Sequence, residues 1–134
     1  MITRETDYAI RTVVCLAGLD GGVLMSTADL AASTGVPYRF LRKIVSRLAS
    51  VGLVHTRRGK GGGLRLAPPA EAIDLLALLQ MIEPESVLLN RCTADERIGC
   101  QRIGVCTVHD ALLAVQNRLW QDLAAIRLDH LVPS

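Results

Sequence analysis

The pattern of apolar residues changes from helical to strand-like in the first half of the chain, and this change constrains the fold most. Ser26, with Asp29 three residues on, is a capping signal for a short helix over 27–33 that ends at Gly35. A second helix is predicted to begin near Pro37, and its apolar side chains recur three and four positions apart: Phe40, Leu41, Ile44, Val45 and Leu48. Two helices joined by a tight glycine-containing turn, the second of them basic, are typical of a helix-turn-helix.

A basic, glycine-rich segment follows this pair of helices. A short strand over 53–56, the tip RRGKGGG and a second strand over 64–66 predict a β-hairpin. The combination predicts a mainly α fold with a small β-hairpin wing: a winged helix-turn-helix followed by a long C-terminal dimerisation helix. The tip is not a P-loop, because Lys60 is followed by glycine and the glycine spacing is wrong for one.

Positive charge is concentrated in this region, although the formal net charge is only +2. Residues 37–65 hold eight basic residues and no acidic one, whereas all 13 acidic residues lie elsewhere. Such a patch predicts a polyanionic partner, with double-stranded DNA as the first candidate; a solvated basic face without a partner is the alternative. The predicted DNA contacts are Tyr38, Arg39, Arg42, Lys43 and Arg47 on the second helix, and Arg57, Arg58, Lys60 and Gly61 on the wing.

A long amphipathic helix is predicted over 107–132, with apolar residues three or four positions apart. About twenty helical residues span roughly 30 Å, more than one small domain covers, so a symmetric homodimer is expected. The alternative is a helix folded back on its own wing domain. We therefore divide the chain into a DNA-binding domain (1–82), a cysteine-rich loop (83–106) and a dimerisation helix (107–134). The predicted dimer seam is Leu112, Val115, Leu119 and Leu123.

Three cysteines lie in one short polar stretch, RCTADERIGCQRIGVCTVH. Cys92, Cys100 and Cys106 are separated by seven and five residues, and His109 follows closely. Clustered thiolates bind zinc, copper or an iron–sulfur cluster; reactive redox thiols are the alternative. Cys15 lies at helical spacing among apolar residues and is predicted to be a core side chain.

The remaining composition excludes several classes of protein. Half of the residues are hydrophobic, so a disulfide scaffold is not needed for a core. The N-terminal MITRETDYAIRT has no apolar signal region, and no apolar run reaches the length of a membrane span. We therefore expect a protein of the reducing cytoplasm that has no membrane partner. No Ser/His/Asp or Glu/His constellation is visible, so an enzyme is not expected.

Four motifs together resemble one family: TRETDYAIR, YRFLRKIVSRLASVGLV, the wing RRGKGGGLRLA, and the cysteine triplet before a long helix. The chain is similar over essentially its whole length to the Rrf-two superfamily of bacterial regulators, whose iron–sulfur members include IscR, NsrR and RirA. The resemblance implies a dimeric winged-helix transcription factor, most simply a repressor. It also implies a cluster held by Cys92, Cys100, Cys106 and one non-cysteine ligand, which sets affinity for a pseudo-palindromic operator.

The resemblance leaves two choices for the fourth ligand. His109 matches the histidine that completes a 2Fe–2S cluster in IscR-like members. Asp7, in TDYA, matches the aspartate that reaches a 4Fe–4S cluster from the partner subunit in NsrR-like members. The N-terminal match favours Asp7, and with it a 4Fe–4S cluster. A repressor of the same fold that uses zinc or bare thiols is the alternative.

Overall fold

The computed structural model describes residues 1–94 and 100–134. These residues form five α-helices and one two-stranded antiparallel hairpin, in the order α1 (Arg4–Ala17), α2 (Thr27–Thr34), α3 (Tyr38–Ser50), β1 (Val54–Arg57), β2 (Gly63–Leu66), α4 (Leu75–Ile82) and α5 (Thr107–Ala124). Short 3-10 turns lie at Ala70–Ala72, Pro84–Val87, Arg91–Thr93 and Leu128–Leu131. The predicted fold class is confirmed. No helix in the described ranges is both long and apolar enough to span a membrane.

Helix α1 lies at the centre of the core. The hydroxyl of Thr3 caps it by accepting a hydrogen bond from the backbone N–H of Thr6 at 3.2 Å. Its inner face buries Ala9, Val13 and Leu16 almost completely. The helix contacts α2, α3, β2 and α4, so it links the wing domain to the segment that leads toward the cysteines.

The helix-turn-helix forms where the capping residues predict it. Ser26 accepts a hydrogen bond from Asp29 N–H at 3.1 Å, and α2 ends at Gly35, whose φ of 71° is the left-handed conformation that glycine adopts without strain. Pro37 immediately precedes α3 rather than lying within its first turn. The face of α3 against the core is apolar and buried: Leu41, Ile44 and Leu48.

The wing pairs in antiparallel register, from Val54 with Leu66 to Arg57 with Gly63. Its second strand is also bridged on the other side, because Met25 and Leu64 exchange backbone hydrogen bonds of 2.9 and 2.8 Å. The wing is therefore anchored on both edges of β2, next to the start of α2.

Helix α5 is shorter than predicted. It ends at Ala124 instead of continuing to about residue 132. The chain then turns back, and Leu75 N–H and Leu128 N–H donate hydrogen bonds of 2.8 Å to the carbonyls of Ile126 and Ile73. Leu128 is buried in the core. Backbone pairing and burial of this leucine outweigh continuation of the helix.

Candidate DNA-binding face and cysteine cavity

The outer face of α3 is exposed and basic. Tyr38, Arg39, Arg42 and Lys43 are all solvent-accessible, as expected for side chains that read a groove. Within the described chain, Lys43 has one acidic neighbour, Glu5, with 3.7 Å between Nζ and the carboxylate. A surface pair of this kind is weak and leaves the ammonium available to a phosphate.

An aromatic side chain supports one of these arginines. The Arg39 guanidinium carbon lies 4.7 Å from the centre of the Phe40 ring, within cation–π range. Phe40 in turn lies against Tyr8 of α1, with 6.1 Å between ring centres. The sequence pattern includes Phe40 among the apolar positions of this helix, but its side chain is 42% exposed.

Arg47 has different surroundings from the other predicted DNA contacts. Its guanidinium donates a hydrogen bond to the carbonyl of Ile82, and Nη1 lies 3.3 Å from the Glu5 carboxylate. This arginine therefore joins α3 to α1 and to the end of α4.

A cleft of about 500 Å³ separates α3 from the wing. Arg42 and Ser46 line one wall, and Arg57 and Arg58 line the other. All three guanidinium groups are exposed, and Lys60 lies at the tip between glycines. The arrangement presents positive charge from two elements toward one groove, which suits the phosphate backbone of a duplex.

The cysteine triplet lines a different cavity, which shares no lining residue with the cleft between α3 and the wing. Cys92, Cys100, Cys106 and His109 line one cavity of about 400 Å³, together with Ile103 and Val108 among others. Residues 95–99 of the predicted cysteine loop lie outside the described residues. Within 1–94 and 100–134, no three His, Cys, Asp or Glu side chains converge closely enough to hold a metal ion.

Local backbone structure positions two of the three cysteines. Cys92 is the middle residue of the 3-10 turn Arg91–Thr93, which Asn90 caps. Cys106 is the N-cap of α5, where its sulfur accepts a hydrogen bond from His109 N–H at 3.4 Å. The N-terminus of a helix favours negative charge, so this end of α5 suits anionic sulfur ligands.

His109 is the unusual side chain of the cavity. It is buried, and its Nδ1 atom has no hydrogen-bond partner in the described chain. Buried polar atoms normally have a partner, so this imidazole fits a ligand in the cavity. The donor set of three soft thiols and one imidazole is chemically suited to iron or zinc.

The other predicted fourth ligand lies elsewhere in the chain. Asp7 is on α1 and forms a 2.8 Å ion pair with Arg11, four residues on. Its side chain is 47% exposed. Asp7 is not among the residues that line the cysteine cavity of its own chain.

Cys15 differs from the three clustered cysteines. It is half-buried on α1, 3.9 Å from the Met25 sulfur, and burial raises the pKa of its thiol. These are the surroundings of an unreactive core cysteine.

Helix α5 has one face against its own chain and one exposed apolar face. His109, Gln116 and the half-buried Trp120 face the protein, whereas Val115 and Leu119 remain 44% and 36% exposed. The predicted seam is therefore divided, because Leu112 and Leu123 are partly covered by their own chain. Uncovered apolar residues on a long helix are typical of a partner interface.

Comparison with known proteins identifies the family. The sequence profile described as "Rrf2: Iron-dependent Transcriptional regulator" matches residues 2–134. The chain belongs to the Rrf2 family. It is 32% identical over 132 residues to the HTH-type transcriptional repressor NsrR of Streptomyces coelicolor, a match covering 98% of this chain and 87% of the relative.

Solved Rrf2 structures share the fold. The global cysteine regulator CymR of B. subtilis superposes with a TM-score of 0.77 at 19% identity, covering 98% of this chain and 95% of CymR. The T. potens protein IscR superposes with a TM-score of 0.75 at 20% identity, covering 98% and 85%. Rrf2 proteins are DNA-binding transcriptional regulators rather than enzymes.

The Rrf2 sequence motifs do not reveal every residue around the cysteines. Gln116 of α5 is 1% exposed and accepts hydrogen bonds from Leu89 N–H at 2.9 Å and from the Thr93 hydroxyl at 2.6 Å. One turn further, Trp120 donates to the carbonyl of Val87 at 2.8 Å. The sequence indicates these two residues only through their spacing, which places Gln116 and Trp120 on the same helical face as His109, beside the apolar seam.

Proposed function

We propose that this Rrf2 protein is a DNA-binding repressor whose operator affinity is set by an iron–sulfur cluster bound at Cys92, Cys100 and Cys106. The observation that carries the proposal is the cavity shared by these three thiols and His109. Cluster binding requires the loop to draw the sulfurs together, since no three of the described donors converge within metal-binding distance. The similarity to NsrR and the description of the family as iron-dependent support the choice of iron.

For the fourth ligand we favour His109 over the partner subunit's Asp7. His109 lies in the cavity with Nδ1 unpartnered, whereas Asp7 is paired with Arg11. Imidazole in place of a thiolate raises the potential of a 2Fe–2S cluster. The N-terminal resemblance supports Asp7 and a 4Fe–4S cluster, so the two ligands define two competing forms of one proposal. When bound, the cluster supplies a charge and a geometry that change on oxidation, nitrosylation or loss of iron.

A series of contacts connects the segment that carries Cys92 to the recognition helix α3. Cys92 follows the 3-10 turn Pro84–Val87, which begins directly after α4. The carboxylate of Glu83 accepts hydrogen bonds from the Thr6 and Thr3 hydroxyls of α1. Arg47 of α3 donates to the carbonyl next to it, that of Ile82. A rearrangement of the cysteine loop therefore acts on the position of the recognition helix.

The dimer converts such a change into altered operator affinity. Two recognition helices must meet major grooves about 34 Å apart, one helical turn of DNA. A pseudo-palindromic operator matches this two-fold arrangement. A small rotation of either wing domain misaligns α3 with its half-site and lowers specific affinity by several-fold or more.

Single cysteine substitutions test the cluster. Cys92→Ala, Cys100→Ala and Cys106→Ala should each abolish the visible iron chromophore of anaerobically purified protein. Cys15→Ala is the matched control and should retain the chromophore, because Cys15 is a core residue outside the cavity. Equal iron and sulfide in the wild type identify a cluster. Loss of colour in Cys15→Ala alone contradicts the ligand assignment.

The fourth ligand is tested by a second pair of variants. His109→Ala should change the absorption and electron paramagnetic spectra if the chain supplies its own ligand. Asp7→Ala should do so instead if the partner subunit's Asp7 is the ligand. Asp7→Ala also releases Arg11, so Arg11→Ala serves as the control for loss of their ion pair.

A cluster-free regulator is the competing function. Cys100 is exposed and free in the described structure, and exposed thiols are accessible to oxidants. The fold likeness to the cysteine regulator CymR is compatible with this alternative, although at 19% identity it shows the fold alone. A colourless protein that binds zinc, or that changes DNA affinity on thiol oxidation without bound metal, supports the alternative.

A further inference from the structure

Among the described residues, four hydrogen bonds attach the segment around Cys92 to α5. They arise at Trp120, which donates to Val87 O, and at Gln116, which accepts from Leu89 N–H and from the Thr93 hydroxyl. The Gln116 side chain also forms the fourth bond, in which its Nε2 donates to Thr93 O at 3.1 Å. The residues on either side of Cys92 are thus held against a helix that also carries Cys106 and His109.

The Gln116 amide is matched to its surroundings. The backbone N–H of Leu89 must meet an acceptor, which fixes the carbonyl oxygen of Gln116 on that side and its NH₂ toward Thr93 O. The side chain is 1% exposed and Thr93 is 7% exposed, so water does not compensate for a lost bond. Neither leucine nor an ionised glutamate reproduces both a donor and an acceptor here.

We propose that Gln116, acting with Thr93, is a positioning residue that sets the place of Cys92 relative to Cys106 and His109. It lies on α5 about two turns beyond His109, and it touches the turn that contains Cys92 rather than any thiol. Partners of this kind around metal ligands commonly change metal affinity by about 10–100-fold when removed. This inference deepens the proposed function and, in its cluster arm, rests on it.

The first experiment uses metal-free protein and does not depend on a cluster. The alkylation rate of each cysteine by iodoacetamide is measured by peptide mass spectrometry. Gln116→Leu and Thr93→Val should raise the rate at Cys92 several-fold while leaving Cys15 unchanged. Gln121→Leu, on the exposed side of the same helix, is the matched control. Thr93→Ser keeps the hydroxyl and should restore the wild-type rate.

The second experiment uses anaerobically prepared protein with its chromophore. Loss of iron to a chelator should be about tenfold faster in Gln116→Leu than in wild type, and Gln121→Leu should match wild type. Thermal unfolding of the metal-free forms shows whether the variants fold; Thr93→Val is the milder substitution if Gln116→Leu does not fold.

The two experiments separate the possible failures. If Cys92→Ala keeps its chromophore, the ligand assignment fails, but the alkylation result still tests the position of Cys92. If folded Gln116→Leu and Thr93→Val both alkylate Cys92 at the wild-type rate, the positioning role is overturned. The same conclusion follows if Gln121→Leu accelerates Cys92 alkylation as much as Gln116→Leu does.

Discussion

Arg47, in the last turn of the recognition helix, donates a hydrogen bond to the carbonyl oxygen of Ile82, the last residue of α4. Its charge also lies beside Glu5 of α1. One basic side chain of the acid-free stretch therefore joins three helices of its own domain, and its assignment to DNA stays a prediction. Its neighbours on α3 keep their charges at the surface.

Arg47→Met should lower the stability of the protein, with little change in the DNA sequence that the protein prefers. Methionine keeps the apolar stem but loses the hydrogen bond and the ion pair, and we expect a loss of about 1–2 kcal/mol for a charged donor at a half-exposed site. Urea unfolding of Arg47→Met and of its matched control, Arg42→Met, measures the change in the free energy of unfolding. Arg42→Met should keep the wild-type midpoint and weaken operator binding; the opposite ranking contradicts this assignment.

Glu83→Gln should make stability less dependent on pH. Hydrogen bonds, first from Thr6 and then from Thr3, together with the charge of Arg47, lower the pKa of Glu83 below its ordinary value. A carboxyl with a lowered folded-state pKa stabilises the protein above its unfolded pKa, and this stabilisation is lost as the pH falls through the folded value.

The measurement is the free energy of unfolding between pH 7 and about pH 3, a range that includes ordinary carboxyl pKa values. Glu83→Gln should be less stable at pH 7 and approach wild type at the acidic end. Glu85→Gln is the control, since the exposed Glu85 side chain has no hydrogen bond in the described ranges. Parallel curves for wild type and Glu83→Gln contradict the prediction.

Much of the winged helix is predictable from the sequence because its signals are local. Ser26, Gly35 and Pro37 mark helix boundaries by backbone chemistry, and the observed bounds differ from the predicted ones by about a residue. The end of α5 is not predictable in this way. Its apolar spacing continues beyond Ala124, but Leu128 is buried by pairing with the segment before α4, a tertiary contact without a local signal.

Residues of the candidate sites also differ in how far the sequence predicts them. Cysteine spacing predicts the soft donors, and charge predicts the basic face, because both depend on residue type. The role of Arg47 and the burial of Gln116 depend on what lies opposite them in the fold. An arginine in a basic stretch and a glutamine in an amphipathic helix look like surface residues until their partners are known.

The wing and α3 should contribute differently to DNA binding. Replacing Arg57, Arg58 and Lys60 by Gln should weaken binding to all sequences and reduce the salt slope by about one unit per lost phosphate contact. Substitution of Arg39 or Lys43 should instead change the preferred operator sequence. Binding titrations at several salt concentrations test both, with Arg118→Gln on α5 as the control. Unchanged binding of the triple wing variant contradicts the docking of the wing.

Two neighbouring glycines in the wing should respond differently to alanine. A Cβ at Gly62 would lie 2.1 Å from the Arg57 carbonyl oxygen, which forces the hairpin apart. A Cβ at Gly61 meets open space, so the cost there is only the positive φ of 76°, about 1–2 kcal/mol. Gly62→Ala should therefore lower the melting temperature further than Gly61→Ala. Equal effects contradict the wing geometry.

Leu119→Asp should separate the dimer. Leu119 is exposed on the outer face of α5, so aspartate is harmless in one chain but places unpaired charge in an apolar contact between two, at a cost of several kcal/mol. Sedimentation should show a monomer with weak operator binding, because one half-site supplies only part of the contacts. Asn117→Asp, also exposed on α5, adds the same charge and should remain dimeric.

The monomeric variant also decides between the two fourth ligands. If His109 completes the site, every ligand belongs to one chain, and Leu119→Asp should bind iron with the wild-type spectrum. If the partner subunit's Asp7 is the ligand, the same variant should load poorly although all three cysteines are present. A monomer with a full, stable chromophore therefore excludes Asp7, whereas a monomer that loses colour while dimeric Asn117→Asp keeps it excludes His109 as a sufficient fourth ligand.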